Sequence, residues 1–150
     1  MAPRVHNSGH WTIEGSETSQ FENHLRDVLG LPLGSTRMLG HACMLNWLGA
    51  MPDPAPVLAQ ASGHWHDYGK EPREGRKVGH ATLRDDDAAA LADALDQGGL
   101  ELGRPSQVAP AAHALRNRGA GGRPASGRHS PVFLQRCGAP VQASAQRSRW

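Results

Sequence analysis

The sequence predicts an α+β fold: a small β-rich domain with two helices, followed by a disordered tail. Three observations point there. One segment carries the start signal, apolar period and stop signal of a surface helix, three strand-like runs lie between Ala42 and Leu83, and the composition changes abruptly after Gly99.

The first helix is expected from Gln20 to Leu29. Ser19 is a natural N-cap, and Glu22 three residues on completes a capping box. Phe21, Leu25, Val28 and Leu29 recur at i, i+4, i+7 and i+8, which predicts one buried stripe. Gly30 and Pro32 supply the stop. A strand is expected at Ala42–Leu48, closed by Gly49, then a turn at Met51–Pro56 and a short helix at Val57–Gln60. His64–Tyr68 alternates and reads as a second strand, and Lys77–Leu83 as a third. The polar segment Gly69–Gly75 between them suits a tight connection. The second helix, Asp87–Gln97, places Ala88, Leu91, Ala92 and Leu95 on one face. Asp85–Asp87 complement its N-terminal dipole, and Gly98-Gly99 should end it.

Residues 101–150 differ in kind. Ala, Arg, Gly, Pro and Ser make up 33 of these 50 residues. With no sustained apolar period, such a segment is expected to stay disordered. Charge divides at the same place: 8 Lys/Arg against 13 Asp/Glu up to residue 100, then 8 Arg against the single Glu101. Cys43 and Cys137 form neither a zinc nor a disulfide pattern, which fits a reducing cytosol. Met1–Thr12 is too polar for a signal peptide. No apolar run approaches the ~20 residues of a membrane span. A soluble cytoplasmic protein is therefore expected.

Two clusters carry chemistry. Arg4-Val5-His6-Asn7-Ser8-Gly9-His10 sets a guanidinium, two imidazoles, an amide and a hydroxyl beside a glycine that admits close approach, a donor set suited to an anionic or heteroaromatic ligand. The bland alternative is a solvated arm. Lys70, Arg73, Arg76 and Lys77 place four cations within eight residues, enough to cradle a phosphate monoester. Glu71 and Glu74 interleave, so a salt-bridged turn competes with that reading. His6/His10 and His64/His66 have chelating spacings, but no Cys or carboxylate completes either set, and no metal site is expected in this chain. Cys43, within an apolar strand, reads as a core residue and not a nucleophile.

These clusters, in this order, carry a resemblance. Ala2-Pro3-Arg4-Val5-His6-Asn7-Ser8-Gly9-His10-Trp11-Thr12, followed by Thr18-Ser19-Gln20-Phe21-Glu22-Asn23-His24-Leu25-Arg26, resembles the end of the ATP-grasp domain in the 5-(carboxyamino)imidazole ribonucleotide synthase family, the ATPase subunit of phosphoribosylaminoimidazole carboxylase. Gly30-Leu31-Pro32-Leu33-Gly34, Tyr68-Gly69-Lys70-Glu71-Pro72-Arg73 and Gly75-Arg76-Lys77-Val78-Gly79-His80 continue it, over about 95 of the 150 residues. The resemblance implies residues 1–18 as the end of the ATP-grasp domain, 19–99 as its small C-terminal domain, and 100–150 outside it.

The implied chemistry is a carbon–nitrogen ligation in de novo purine biosynthesis. ATP with Mg2+ activates bicarbonate as carboxyphosphate, the exocyclic amine of 5-aminoimidazole ribonucleotide is carboxylated, and ADP and phosphate leave. The family is typically a homodimer. Carried over by motif, Arg4, His6, Asn7 and Ser8 would lie near the imidazole ribonucleotide and the incoming carboxyl group. Lys70 and Arg76, with Lys77, would take the nucleotide phosphate. No catalytic nucleophile is implied among them.

Two departures accompany the match. The family's metal-binding Asn-Glu pair precedes its Pro-Arg motif, whereas this sequence opens Met1-Ala2-Pro3; the main ATP and magnesium ligands are thus not among these residues, and the chain reads as a fragment inactive alone. Glu74 also stands where the family has proline. The tail resembles nothing in the family and reads as a frameshifted translation of GC-rich DNA. Two other readings compete with a ligase fragment. One is a nucleotide-phosphate-binding module or half of a split enzyme. The other is a basic nucleic-acid binder acting through the tail, disfavoured because the tail lacks interleaved aromatics.

Overall fold

The structure is a computed structural model that describes residues 4–119 and 132–137. A mixed four-stranded sheet lies at its centre, in the order β2-β3-β1-β4. β1 (His41–Gly49) and β2 (Gly63–Asp67) both run antiparallel to the long β3 (Arg73–Asp85), and β4 (Val132–Cys137) runs parallel to β1 on its other side. Helix α1 (Thr12–Gly15) follows a 3-10 turn at Asn7–Gly9. Helix α2 (Gln20–Val28) comes next, α3 (Ala55–Leu58) lies between β1 and β2, and α4 (Ala88–Glu101) and α5 (Pro105–Gly119) follow β3.

The two faces of the sheet differ. Cys43, Leu45 and Trp47 of β1 join Val78, Ala81 and Leu83 of β3 in one apolar layer with Leu91 and Leu95 of α4 and Val108 and Leu115 of α5. On the opposite face Asn46, His80 and Thr82 are buried polar residues. Cross-strand pairing lines up Asn46, His80 and His66 across three strands. The N-terminal arm packs over this face, where Gly15 comes so close to Ala42 that a Cβ would lie 3.0 Å from the Ala42 methyl.

A bulge decides which face Lys77 joins. Trp47 pairs with Gly79, but the next β1 residue, Leu48, pairs with Lys77, leaving Val78 as an extra residue on β3. Side chains alternate strictly along a regular strand, so without the insertion Lys77 would share the apolar face with Ala81. With it, Val78 enters the core and Lys77 turns to the His80 side.

Several sequence expectations need correction. The three strands are present, with β3 starting at Arg73 inside the expected loop. Ser19 caps α2 through an N–H bond from Glu22 (3.1 Å). The Glu22 carboxylate, however, accepts from Arg26 (2.8 Å) and does not close a capping box. The apolar stripe of α2 is not buried: Leu25, Val28 and Leu29 are 60%, 67% and 69% exposed. Periodicity reports that a face is apolar, not that something covers it.

Gly98 and Gly99 do not end α4, which runs on to Glu101. Their bare Cα atoms let another helix approach: a Cβ on Gly99 would collide with Val108 Cγ2. The tail expected to be disordered contains α5, whose Val108, Ala111, Ala112 and Leu115 are buried at i, i+3, i+4 and i+7. It also contains the β4 backbone. Helices α1 and α5 are additions to those expected, and the remainder of the tail lies outside the described residues.

Candidate functional site

The site begins with the N-terminal arm. His6 caps the 3-10 turn, its Nδ1 accepting from the Ser8 N–H (3.2 Å) and lying 2.8 Å from the Ser8 hydroxyl. Gln20, at the start of α2, clamps this turn with both ends of its amide. Its Oε1 accepts from the His6 N–H (3.0 Å), and its Nε2 donates to the His6 carbonyl (2.7 Å). His10 Nδ1 lies 2.9 Å from the same Nε2 and 3.0 Å from the His6 carbonyl. Gly9 makes the clamp possible, since a Cβ there would strike the Gln20 amide.

The clamped arm meets β3 through a hydrogen bond and a ring contact. Lys77 Nζ donates to the Asn7 side-chain oxygen across 70 residues of sequence. Both Lys77 and Lys70 also approach the face of the Tyr68 ring, with Nζ atoms 5.5 Å and 5.1 Å from its centroid. Beneath lie three imidazoles. His66 and His80 stack at 4.3 Å with a 10° interplanar angle, and His10 meets His80 edge-on at 5.7 Å. The Tyr68 hydroxyl and His80 Nδ1 are hydrogen-bonded (2.7 Å), and His66 Nε2 donates to the Glu14 carboxylate (2.6 Å).

Burial sets the protonation of this cluster. It lowers the Lys77 ammonium to about 8, helped by the neighbouring Lys70 charge. It lowers His80 to about 3, with the His66, Lys77 and His10 charges acting in the same direction, so this imidazole is neutral near pH 7. His10 is lowered mainly by burial, and burial raises the Tyr68 phenol to about 12. The physical cause is common to all four: the charged form loses water it cannot replace. His80 Nε2 and Glu14 Oε2 are buried without a hydrogen-bond partner.

Two family comparisons bear on this arrangement. Residues 42–94 match the phosphoribosylaminoimidazole carboxylase C-terminal domain, and residues 1–21 match the ATP-grasp domain. The N5-carboxyaminoimidazole ribonucleotide synthase of Pseudomonas aeruginosa is 66% identical over 91 residues, covering 61% of this chain and 25% of the relative. That of Vibrio cholerae is 50% identical over 115 residues, covering 77% and 30%.

Among solved structures, the N5-carboxyaminoimidazole ribonucleotide synthetase of Thermus thermophilus superimposes with a TM-score of 0.64 at 61% identity, over 67% of this chain and 28% of that one. An Aspergillus clavatus N5-carboxyaminoimidazole synthase in complex with ADP and 5-aminoimidazole ribonucleotide gives 0.59 at 32% identity, over 67% and 30%. The chain thus spans about a quarter to a third of the length of these relatives.

Of the seven residues expected from the motifs, the structure brings three together: Asn7, Lys70 and Lys77. His6 and Ser8 bond each other on the exposed side of the arm. Arg4 lies in an open groove along α2 with Val5, Gln20, Asn23, His24 and Asp27. Arg76 turns back to the Glu71 carbonyl at 3.4 Å. Tyr68, His80 and Glu14 were not singled out from the sequence. Their partners lie 12 and 52 residues away, so local spacing carries no signal of them. Among the described residues, no group of three or more His, Cys, Asp or Glu side chains is placed to hold a metal ion, and no helix is long and apolar enough to cross a membrane.

Proposed function

We propose that this chain supplies the ribonucleotide-binding end of a cytoplasmic ATP-dependent ligase that carboxylates 5-aminoimidazole ribonucleotide with ATP and bicarbonate in de novo purine biosynthesis. The observation that carries this reading is the Lys77–Asn7 contact, because it joins the arm motif to the basic motif in one site. Lys70 and Lys77, with Arg76 at the rim, take the phosphate. Asn7, with Arg4, His6 and Ser8 of the same arm, would face the imidazole and the incoming carboxyl group once substrate is bound. Support comes from the Aspergillus relative, solved with 5-aminoimidazole ribonucleotide.

The electrostatics fit an anionic ligand. Lys77 is half-buried beside a second ammonium, so a phosphate dianion supplies the counter-charge that burial withholds. These residues bind and orient substrate; they do not act as nucleophiles.

Calorimetric titration tests the reading. Lys77→Met should weaken binding of 5-aminoimidazole ribonucleotide at least about tenfold, as expected for losing a charge-assisted hydrogen bond. The ribonucleoside lacking phosphate should bind poorly to both proteins. Wild-type affinity should fall as the pH rises through about 8, where Lys77 loses its proton. Equal binding of nucleotide and nucleoside would refute the assignment.

A further inference from the structure

The two ammonium groups of the phosphate site pose a physical problem. The Lys70 charge bears on Lys77, and among the described residues neither forms an ion pair with a carboxylate. Like charges so placed repel, and Lys70 has no anchor comparable to the Lys77 bond to Asn7 among the hydrogen bonds and ion pairs described. What the two share is the Tyr68 ring, with both Nζ atoms within 6 Å of its centroid. An aromatic face carries the negative part of its quadrupole and attracts cations at that distance.

The ring is itself held in orientation. Its hydroxyl is hydrogen-bonded to His80 Nδ1 at 2.7 Å, and His80 is only 1% exposed. His80 stacks on His66, and His66 donates to Glu14. The chain Glu14–His66–His80–Tyr68 therefore runs from α1 through two strands of the polar face to the ring beneath the cations.

We infer that Tyr68 is a positioning residue of this site: its fixed ring face gathers the Lys70 and Lys77 ammonium groups so that both bear on one phosphate. The inference rests on the proposed phosphate site and adds to it a group that touches the lysines and not the ligand.

Ribose 5-phosphate is the probe, titrated into the full chain by NMR. Tyr68→Leu should bind it about tenfold more weakly, the scale expected for two cation–π contacts. Tyr68→Phe, which keeps the face and loses the hydroxyl, should restore affinity to within about threefold of wild type. A Phe variant as weak as the Leu variant would overturn the inference, since the hydroxyl would then be the active part. Lys77→Met separates the two levels. If Lys77→Met leaves affinity unchanged, the phosphate site itself is wrong; if it weakens binding while Tyr68→Leu does not, only the platform is wrong. Should Tyr68→Leu fail to fold, the wild-type protein still decides the matter. Ring-current upfield shifts at the Cε protons of both lysines support the platform, and random-coil positions overturn it.

Discussion

Moving from about pH 8 to about pH 5 should destabilise this protein through His80. In the folded chain that imidazole is lowered to about 3 from an ordinary value of 6.5. Between those values the unfolded chain binds a proton that the folded chain refuses, so stability falls as the pH falls. Linkage over this window gives a loss of about 2 kcal/mol at pH 5, taking 1.36 kcal/mol per unit. For a chain of this size that corresponds to a melting temperature lower by about 4–8 °C. His10, lowered by the same cause, adds in the same direction. The groups facing His80 are His66 on β2, Lys77 on β3, His10 on the arm and the Tyr68 hydroxyl. None of them is an anion that would hold a proton there.

Thermal melts of wild type and His80→Leu at both pH values isolate the contribution. The leucine variant loses the Tyr68 partner at every pH, but its melting temperature should drop clearly less between the two. An equal drop in both proteins would refute the argument, as would an NMR titration placing His80 near 6.5.

Two further outcomes test the packing. Gly98→Ala should stabilise by about 0.5–1 kcal/mol, because α4 gains helix propensity and the nearest atom, the Pro56 carbonyl, is 4.0 Å away. Gly99→Ala should instead destabilise by about 1 kcal/mol, since the new methyl collides with the stiff Val108 side chain, and adding Val108→Ala should relieve it; denaturant melts of the three variants report the signs. Gln20→Ala should release the arm, seen as lost hydrogen-exchange protection at the His6 amide, which now donates to Gln20 Oε1. Unchanged protection there would mean the clamp is not what holds the turn.

Local signals were legible in the sequence where a single element supplies them. The Ser19 cap, the β1 run and the apolar face of α4 are all read from residues within one segment, and all are present. What failed depended on neighbours. The α2 stripe is apolar, yet no described element covers it. Gly98-Gly99 resembles a helix stop, but serves as the seat on which α5 rests. That helix itself was masked by averaging: its period at Val108, Ala111, Ala112 and Leu115 is regular, but it is made mostly of alanine and embedded in an Arg- and Gly-rich stretch. Of the residues named from the motifs, Asn7, Lys70 and Lys77 come together. The Val78 bulge that turns Lys77 toward Asn7 has no sequence signature of its own, because it arises from how β3 pairs with β1.

The contact between Asn7 and Lys77 would couple occupancy of the proposed phosphate site to folding. The unfolded chain keeps both side chains but not their contact, so the proposed phosphate-bearing ligand would stabilise only the folded form. At a hundred times its Kd such a ligand adds about 2.7 kcal/mol. That exceeds the acid penalty worked out for His80. The same gain would favour a docked arm over a released one, so a well-supplied cell would hold the protein in its site-competent shape even in acid stress.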